Sequence, residues 1–455
     1  MTVLMYVLGV LAVAVGVGLS IALHEIGHLV PAKKFGVKVT QYMVGFGPTV
    51  WSRRRGETEY GVKAIPLGGY IRMIGMFPPR PGDREGTLRV SSTGRLSQLA
   101  DEARKLSLDE IQPGDEHRVF YKLSVPKKVI VMLGGPTMNL FIAVVLLTGL
   151  VTLYGVQTPQ PGAVVATVSE CVVPASQAAT KTTCTATDPK TPAYLAGIRP
   201  GDRLVSVDGQ AIKRTVDVGA LIRPRVGQPT QVVVERAGQR LTLTATPIRN
   251  QVQQVGANGQ PLVDAQGKPV VIEAGFLGVS SGPPIAVERQ PLSVVPSVIG
   301  GALSQTAGVL LHIPQKMAGV AQAAFGSGPR DPQSPISVVG VGRIAGEASA
   351  GRIAGIGGQE GIAPWAFLLQ LIASLNLALF VFNLIPLLPL DGGHVAGALW
   401  EALKRGAARA FKRPDPGYVD VAKALPVAYA VSSVLIVMSV LLIYADLVNP
   451  VKLGG

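Results

Sequence analysis

The stretch Ser20-Ile-Ala-Leu-His-Glu-Ile-Gly-His-Leu-Val-Pro31 decides the fold, because it continues an apolar run, residues 3–23, that is long enough to cross a bilayer as a helix. On a helix His24 and His28 are i and i+4, so both imidazoles leave one face and can bind one zinc ion. Glu25 lies beside them as a candidate general base. The alternative is a pair of interfacial histidines satisfied by headgroups and water. The motif therefore predicts a zinc site inside a membrane helix.

Composition favours a membrane protein of two or three domains. The chain has 455 residues, of which 48% are hydrophobic, and its mean hydropathy is +0.37. The formal charge of +14 does not indicate nucleic acid, since the basic residues are spread through loops and no nucleic-acid motif occurs. Membrane lipid with anionic headgroups is the expected counter-charge.

Four apolar runs predict a polytopic α-helical protein with about four transmembrane helices. Their predicted bounds are 1–30, 129–156, 365–390 and 425–447. Lys and Arg number 18 in residues 31–128 and 6 in residues 391–423, against 17 in the longer stretch 156–362. Because basic loops tend to stay in the cytoplasm, we expect loops 31–128 and 391–424 on the cytoplasmic side. Both termini are then extracytoplasmic.

The first loop contains a predicted membrane-associated β element. Glycines, Pro66 and interleaved apolar residues between 58 and 70 indicate short strands with an exposed edge. Such an edge can pair with an extended peptide, which makes Gly68, Gly69 and Tyr70 candidate substrate-binding residues. Residues 78–114 are charged and rich in Pro and Gly, and are expected to form a loosely structured insertion.

The second span carries Gly134-Gly-Pro-Thr-Met-Asn139. Glycine and proline are common in kinked, closely packed transmembrane helices, and this is the plain structural interpretation. Asn139, however, is an amide in an apolar helix and needs a partner. We count it among the candidates that bind substrate or orient a group at the site.

Residues 160–250 predict a compact, mostly β domain. Residues 191–209 resemble the "SPAxxAGLxxGDxIxxVDG" segment of PDZ domains, so we expect one inserted, extracytoplasmic, PDZ-like α+β domain. Cys171 and Cys184, the two cysteines of the chain, are either disulfide-bonded in an oxidising compartment or free thiols, and we favour the disulfide. In the region 251–364 that follows, residues 292–325 form either an amphipathic helix on the membrane surface or a fifth span.

The third span ends in Phe382-Asn-Leu-Ile-Pro-Leu-Leu-Pro-Leu-Asp-Gly-Gly-His394, whose prolines prevent one continuous helix. Asp391 is the acid of this run. It either ends a helix facing solvent or supplies the carboxylate that completes a zinc site with His24 and His28. Two histidines, one carboxylate and an open position for water are a catalytic zinc set. His394 is an alternative ligand.

Four motifs lie in residues 20–31, 134–139, 191–209 and 382–394. Taken together, they resemble the site-2 protease family, most closely its bacterial regulator-of-sigma-E protease (RseP-like) branch with a single PDZ domain. The resemblance covers the chain from end to end. It implies one zinc ion held by His24, His28 and Asp391, with Glu25 taking a proton from the attacking water. It also implies that Asn383 helps to position the substrate.

The family's activity is regulated intramembrane proteolysis in the bacterial cytoplasmic membrane. The expected partners are therefore single-pass membrane proteins that another protease has already trimmed, such as anti-sigma factors or signal-peptide remnants. Two alternatives are a non-catalytic scaffold that binds peptides through its PDZ-like domain and a metal-ion carrier. A scaffold has no use for Glu25, and a carrier needs polar residues along several spans, whereas the second and fourth are almost wholly apolar.

Overall fold

The structure is a computed structural model that divides the chain into two units. One contains residues 1–155 and 289–455, and the other is Val156–Glu288. The residues described are 2–79, 102, 104–105, 107–173, 184–185, 187–254, 262–264, 270–326, 328, 330–331, 333–353, 356 and 361–451. Most of the predicted charged insertion, 78–114, lies outside them.

The unit formed by residues 1–155 and 289–455 contains two strands and most of the helices, and we call it the helical unit. The second unit, Val156–Glu288, contains the remaining elements. The helices are α1 Thr2–Lys34, α2 Val125–Gly149, α3 Pro192–Leu195, α4 Thr215–Ile222, α5 Val295–Leu311, α6 Ile313–Phe325, α7 Val338–Ser349, α8 Pro364–Asn383, α9 Asp391–Ala410 and α10 Leu425–Val448. The strands are β1 Val39–Arg55, β2 Thr58–Met73, β3 Val156–Pro159, β4 Ala163–Val168, β5 Arg203–Val207, β6 Gln210–Ala211, β7 Thr230–Arg236, β8 Gln239–Ala245, β9 Ile248–Gln253, β10 Val271–Phe276, β11 Val279–Gly282 and β12 Ile285–Glu288.

Five helices among the described residues are long and apolar enough to cross a membrane. They are Thr2–Lys34, Val125–Tyr154, Leu292–Leu311, Pro364–Asn383 and Val421–Val448. This supports a polytopic membrane protein, with one candidate span beyond the four predicted. The additional helix lies in the stretch 292–325, for which the sequence allowed either a helix on the membrane surface or a fifth span.

Small residues let the helices that carry the motifs approach closely. At the crossing of α1 and α2, a Cβ added to Gly134 would lie 2.0 Å from the Gly27 carbonyl oxygen, so the two backbones are in contact. Farther along α2, Ala143 and Leu147 pack on Ala373 and Leu377 of α8. Helix α2 is therefore held between α1 and α8.

Strands β1 and β2 form a bent antiparallel hairpin that turns between Arg55 and Thr58. Because of the bend, residues 41–44 of β1 pair with two parts of β2. Residues 59–62 lie on one side of them and residues 69–72 on the other. Residues 69–72 consequently form an edge of this sheet, as the predicted β element requires.

The second unit is larger than the predicted domain 160–250, because later strands complete its sheet. The strand order is β11-β4-β5-β7-β8, with β6 paired to β5. Leu277, which follows β10, is buried in the same core as Val165 and Val234. The unit therefore runs to Glu288, and the predicted boundary at residue 250 was wrong. A disulfide joins Cys171 and Cys184.

Residues 391–424 are not simply a loop, contrary to the prediction. Helix α8 ends at Asn383, ahead of the prolines, and the amphipathic helix α9 begins at Asp391. Residues 251–364 also differ from the predicted single region, since they contribute strands to the second unit and helices α5–α7 to the first.

Candidate metal centre

Three side chains from distant parts of the sequence meet at one point. His24 and His28 lie on α1, and Asp391 is the first residue of α9. The two Nε2 atoms are 3.2 Å apart, and each lies 3.4 Å from Asp391 Oδ2. Zinc–nitrogen distances of about 2.0–2.1 Å in a tetrahedral set separate neighbouring ligand atoms by about 3.3 Å. The spacing therefore fits one tetrahedral zinc ion.

The remaining bonds of these side chains also fit a metal. Among the described residues, Asp391 Oδ2 is buried without a well-formed hydrogen bond, as expected of an oxygen directed at a cation. His28 Nδ1 lies 2.8 Å from the Val131 carbonyl oxygen. A carbonyl only accepts, so Nδ1 carries the proton and Nε2 is free to ligate.

His24 has a different neighbour. Its Nδ1 atom lies 3.1 Å from Nδ2 of Asn139, and Oδ1 of the same amide has no hydrogen-bond partner among the described residues. Asn139 is 1% exposed. Its place against His24 leaves almost no side-chain surface for a peptide, which favours the other expectation for Asn139, that it orients a group at the site.

Gly135 contributes empty space, which sequence reasoning missed. A Cβ at this position would lie 2.2 Å from His28 Nε2 and 2.7 Å from His24 Nε2. The absent side chain therefore leaves the volume in front of both Nε2 atoms open. The adjacent pair of glycines in the second span was the available signal, but the sequence suggested only close helix packing.

Glu25 lies where strand β2 passes α1. It is 8% exposed, and its carboxylate lies near the Ile71 backbone N–H. A Cβ at Gly69 would lie 2.9 Å from Glu25 Cγ, so glycine lets the edge strand approach the carboxylate. Tyr70 stacks on Phe46 with ring centroids 6.3 Å apart.

Gly68 has φ +118°, a conformation that favours glycine, and its backbone lies against the Phe46 ring. Asn383 ends α8 and is half-buried. His394 lies outside the ligand group that the structure forms among its described residues; it lines a separate cavity of about 20 Å³ with Lys128 and Glu401. The arrangement thus favours Asp391 as the third ligand.

Asn376 is a second buried amide that sequence reasoning did not assign. It lies on α8 and donates to Ser20 Oγ on α1 at 2.9 Å and to the Ile372 carbonyl oxygen at 2.9 Å. Ser20 precedes His24 by one helical turn. The bond therefore ties α8 to α1 next to the metal centre without touching the histidines.

Comparison with known proteins places these features in a family context. The model of peptidase family M50 matches residues 12–414. Zinc metalloprotease Rip1 of Mycobacterium tuberculosis is 34% identical over 455 residues, covering 99% of this chain and 100% of that protein. Rip1 of Mycolicibacterium smegmatis is 34% identical over 460 residues with the same coverage. Metalloprotease MmpA of Caulobacter vibrioides is 27% identical over 395 residues, 86% of this chain and 85% of that protein.

Proposed function

The chain belongs to peptidase family M50, the site-2 proteases, and is a zinc metalloprotease of the membrane, and on this basis we propose that it cleaves transmembrane segments of single-pass proteins inside the bilayer. One observation carries the proposal. The nitrogen and oxygen atoms of His24, His28 and Asp391 have tetrahedral zinc spacing beside a buried Glu25, and α1, which supplies three of these residues, is a candidate membrane span.

His24, His28 and Asp391 are the residues that hold the zinc ion in this proposal. When bound, zinc polarises the scissile carbonyl and lowers the pKa of water. Glu25 accepts the proton of the attacking water and then donates it to the leaving amine. The burial of Glu25 beside strand β2 supports this role, because it places the carboxylate next to the metal centre and the edge of the sheet.

The substrate must be extended at the cleaved bond, since a helix hides its carbonyl groups. The edge of the sheet at residues 69–72 lies beside Glu25 and can hold an unwound segment by strand pairing. Asn383, at the end of α8, supplies an amide that can hydrogen-bond the substrate backbone. In this proposal Gly68, Gly69 and Tyr70 form the strand that receives the peptide.

We assign the unit Val156–Glu288 to the extracytoplasmic side as a PDZ-like domain. The disulfide between Cys171 and Cys184 supports an oxidising compartment. The proposed substrates are anti-sigma factors or signal-peptide remnants that another protease has trimmed, and the domain would screen their shortened ends. The cell's cytoplasmic membrane is the proposed location.

We propose four crossings, by α1, α2, α8 and α10, which is consistent with this orientation if both termini are outside. The chain enters α5 beside the end of α2, where the Gln290 N–H donates to the Val151 carbonyl oxygen. It leaves α6 beside the end of α10, where Asn449 donates to Ala323. Helix α6 has 13 residues, too few to recross a bilayer. We therefore assign α5 and α6 to a pair that enters and leaves the membrane on one side.

The test is cleavage of a trimmed single-pass substrate in liposomes by wild-type protein and Glu25→Gln, with zinc measured on both. Equal zinc with cleavage by the wild type alone is the expected result, because glutamine cannot take the proton. His24→Ala and Asp391→Ala should lose both zinc and cleavage. If zinc-loaded wild type leaves several such substrates uncut, the proposal that it cleaves single-pass proteins inside the bilayer fails for these substrate classes.

A further inference from the structure

Asn139 places its amide beside His24, on the side of the ring away from the metal centre. The amide nitrogen lies 3.1 Å from His24 Nδ1, and the amide oxygen is buried without a hydrogen-bond partner among the described residues. A buried amide oxygen without a partner has lost the hydrogen bonds that it would make to water, and this is unfavourable. The Asn139 amide oxygen is therefore unsatisfied within the described part of the chain. The amide nitrogen faces His24 Nδ1, which carries a hydrogen in one tautomer of the ring and not in the other.

The direction of this bond decides whether His24 can bind zinc. If the amide N–H donates, Nδ1 is the unprotonated nitrogen and Nε2 carries the hydrogen, so Nε2 has no lone pair for a metal. If the amide oxygen accepts, Nδ1 carries the hydrogen and Nε2 is free. A half-turn of the Asn139 amide exchanges the two arrangements and pairs the orphaned oxygen.

We propose that Asn139 is a positioning residue whose Oδ1 accepts the His24 Nδ1–H and so fixes the tautomer that binds zinc. This deepens the proposed function and rests on it. The role matches that of the Val131 carbonyl oxygen, which lies 2.8 Å from His28 Nδ1. Each zinc-binding histidine is then oriented by an acceptor on α2, as is general for metal-ligating histidines.

The chain offers a matched control in Asn376. It is also an amide that is 1% exposed, and its Oδ1 also lacks a hydrogen-bond partner among the described residues. It bonds Ser20, one helical turn from His24, and does not contact the imidazoles. Replacing it removes a buried amide from the same bundle without changing the tautomer of His24.

The experiment compares Asn139→Leu, Asn139→Asp and Asn376→Leu as full-length proteins in detergent. Zinc affinity is measured by competition with a chelator, and the ligand field by the absorption of cobalt-substituted protein. We expect Asn139→Leu to bind zinc about 10–100-fold more weakly. Asn139→Asp, whose ionised carboxylate can only accept, should retain wild-type affinity within a few-fold and keep the cobalt spectrum. Asn376→Leu should retain both.

Three results would overturn the assignment. Wild-type zinc affinity in Asn139→Leu would show that His24 needs no acceptor. Equal loss in Asn139→Asp would show that the amide N–H is required. An equal loss of zinc affinity in Asn376→Leu would show that the effect of Asn139→Leu comes from general damage to helix packing. All three are read from metal binding, so they are separate from the cleavage assay that tests the proposed protease.

Discussion

Glycine at single positions controls the space in which the proposed metal ligands meet. Gly135 faces both imidazoles, and Gly134 lies against the backbone of α1. Gly149 is on the same helix, but a Cβ added there would have no other heavy atom within 4 Å. Of these three glycines of α2, only Gly134 and Gly135 therefore provide room that a side chain would fill.

Gly135→Ala should abolish stoichiometric zinc binding. The new Cβ would lie 2.2 Å from His28 Nε2 and force the ring from its place. The measurement is zinc content of purified protein, with Gly149→Ala as the control for a glycine-to-alanine change on α2 that meets no neighbouring side chain. Full zinc occupancy in Gly135→Ala would contradict this account of the site.

At the scale of elements, strand β5 is joined to β7 by a buried carboxylate. Asp202 accepts hydrogen bonds of 2.7 Å from both Nε and Nη2 of Arg236 and one of 2.8 Å from the Arg199 N–H. Burial acts to raise the pKa of Asp202, but these bonds outweigh it and hold the pKa below its usual range. The charged form is thus stabilised by folding.

Because the pKa of Asp202 is lower in the folded chain, its contribution to stability is complete above the unfolded value of about 3.9 and is lost as the pH falls further. Calorimetry of the full-length protein measures the unfolding transition of the unit Val156–Glu288. At about pH 6 this unit should be more stable in wild type than in Asp202→Asn. The difference should shrink below about pH 4. A difference that stays constant with pH would mean that the effect is steric.

At the scale of the whole helical unit, residues 1–155 and 289–455, a buried ion pair fixes the end of α10. Arg330 donates to Asp446 Oδ1, and both side chains are almost fully buried. Asp446 Oδ2 also accepts from the Ser337 N–H at 2.6 Å. One carboxylate therefore ties α10 to the segment that leads into α7.

Arg330→Leu should destabilise this unit by about 3–5 kcal/mol, because it leaves a buried carboxylate without its cation. Thermal unfolding in detergent should show a lowered Tm, partly restored in Arg330→Leu/Asp446→Leu. For comparison, Arg249→Leu breaks an exposed pair with Glu273 in the unit Val156–Glu288 and should leave the Tm of both units almost unchanged. An equal Tm loss in the double variant would show that the charge is not the cause.

The sequence alone determined the chemistry and the membrane class. Residues 20–31 combine a metal-binding motif with an apolar run, and the family and its zinc dependence are confirmed. Local spacing suffices here, because i and i+4 on a helix share a face whatever surrounds it. The prolines before Asp391 likewise predicted a break, and the structure places it after Asn383. The ligand roles themselves stay proposals.

Tertiary structure alone decided which groups surround that chemistry. Asn139 faces His24, Gly135 leaves space before both imidazoles, and β11 completes a sheet whose other strands lie far earlier in the chain. Such contacts join residues far apart in the sequence, as His24 and Asn139 are. Their identity depends on helix rotation and strand order, which are set by packing across the whole unit and leave no periodic pattern in the sequence.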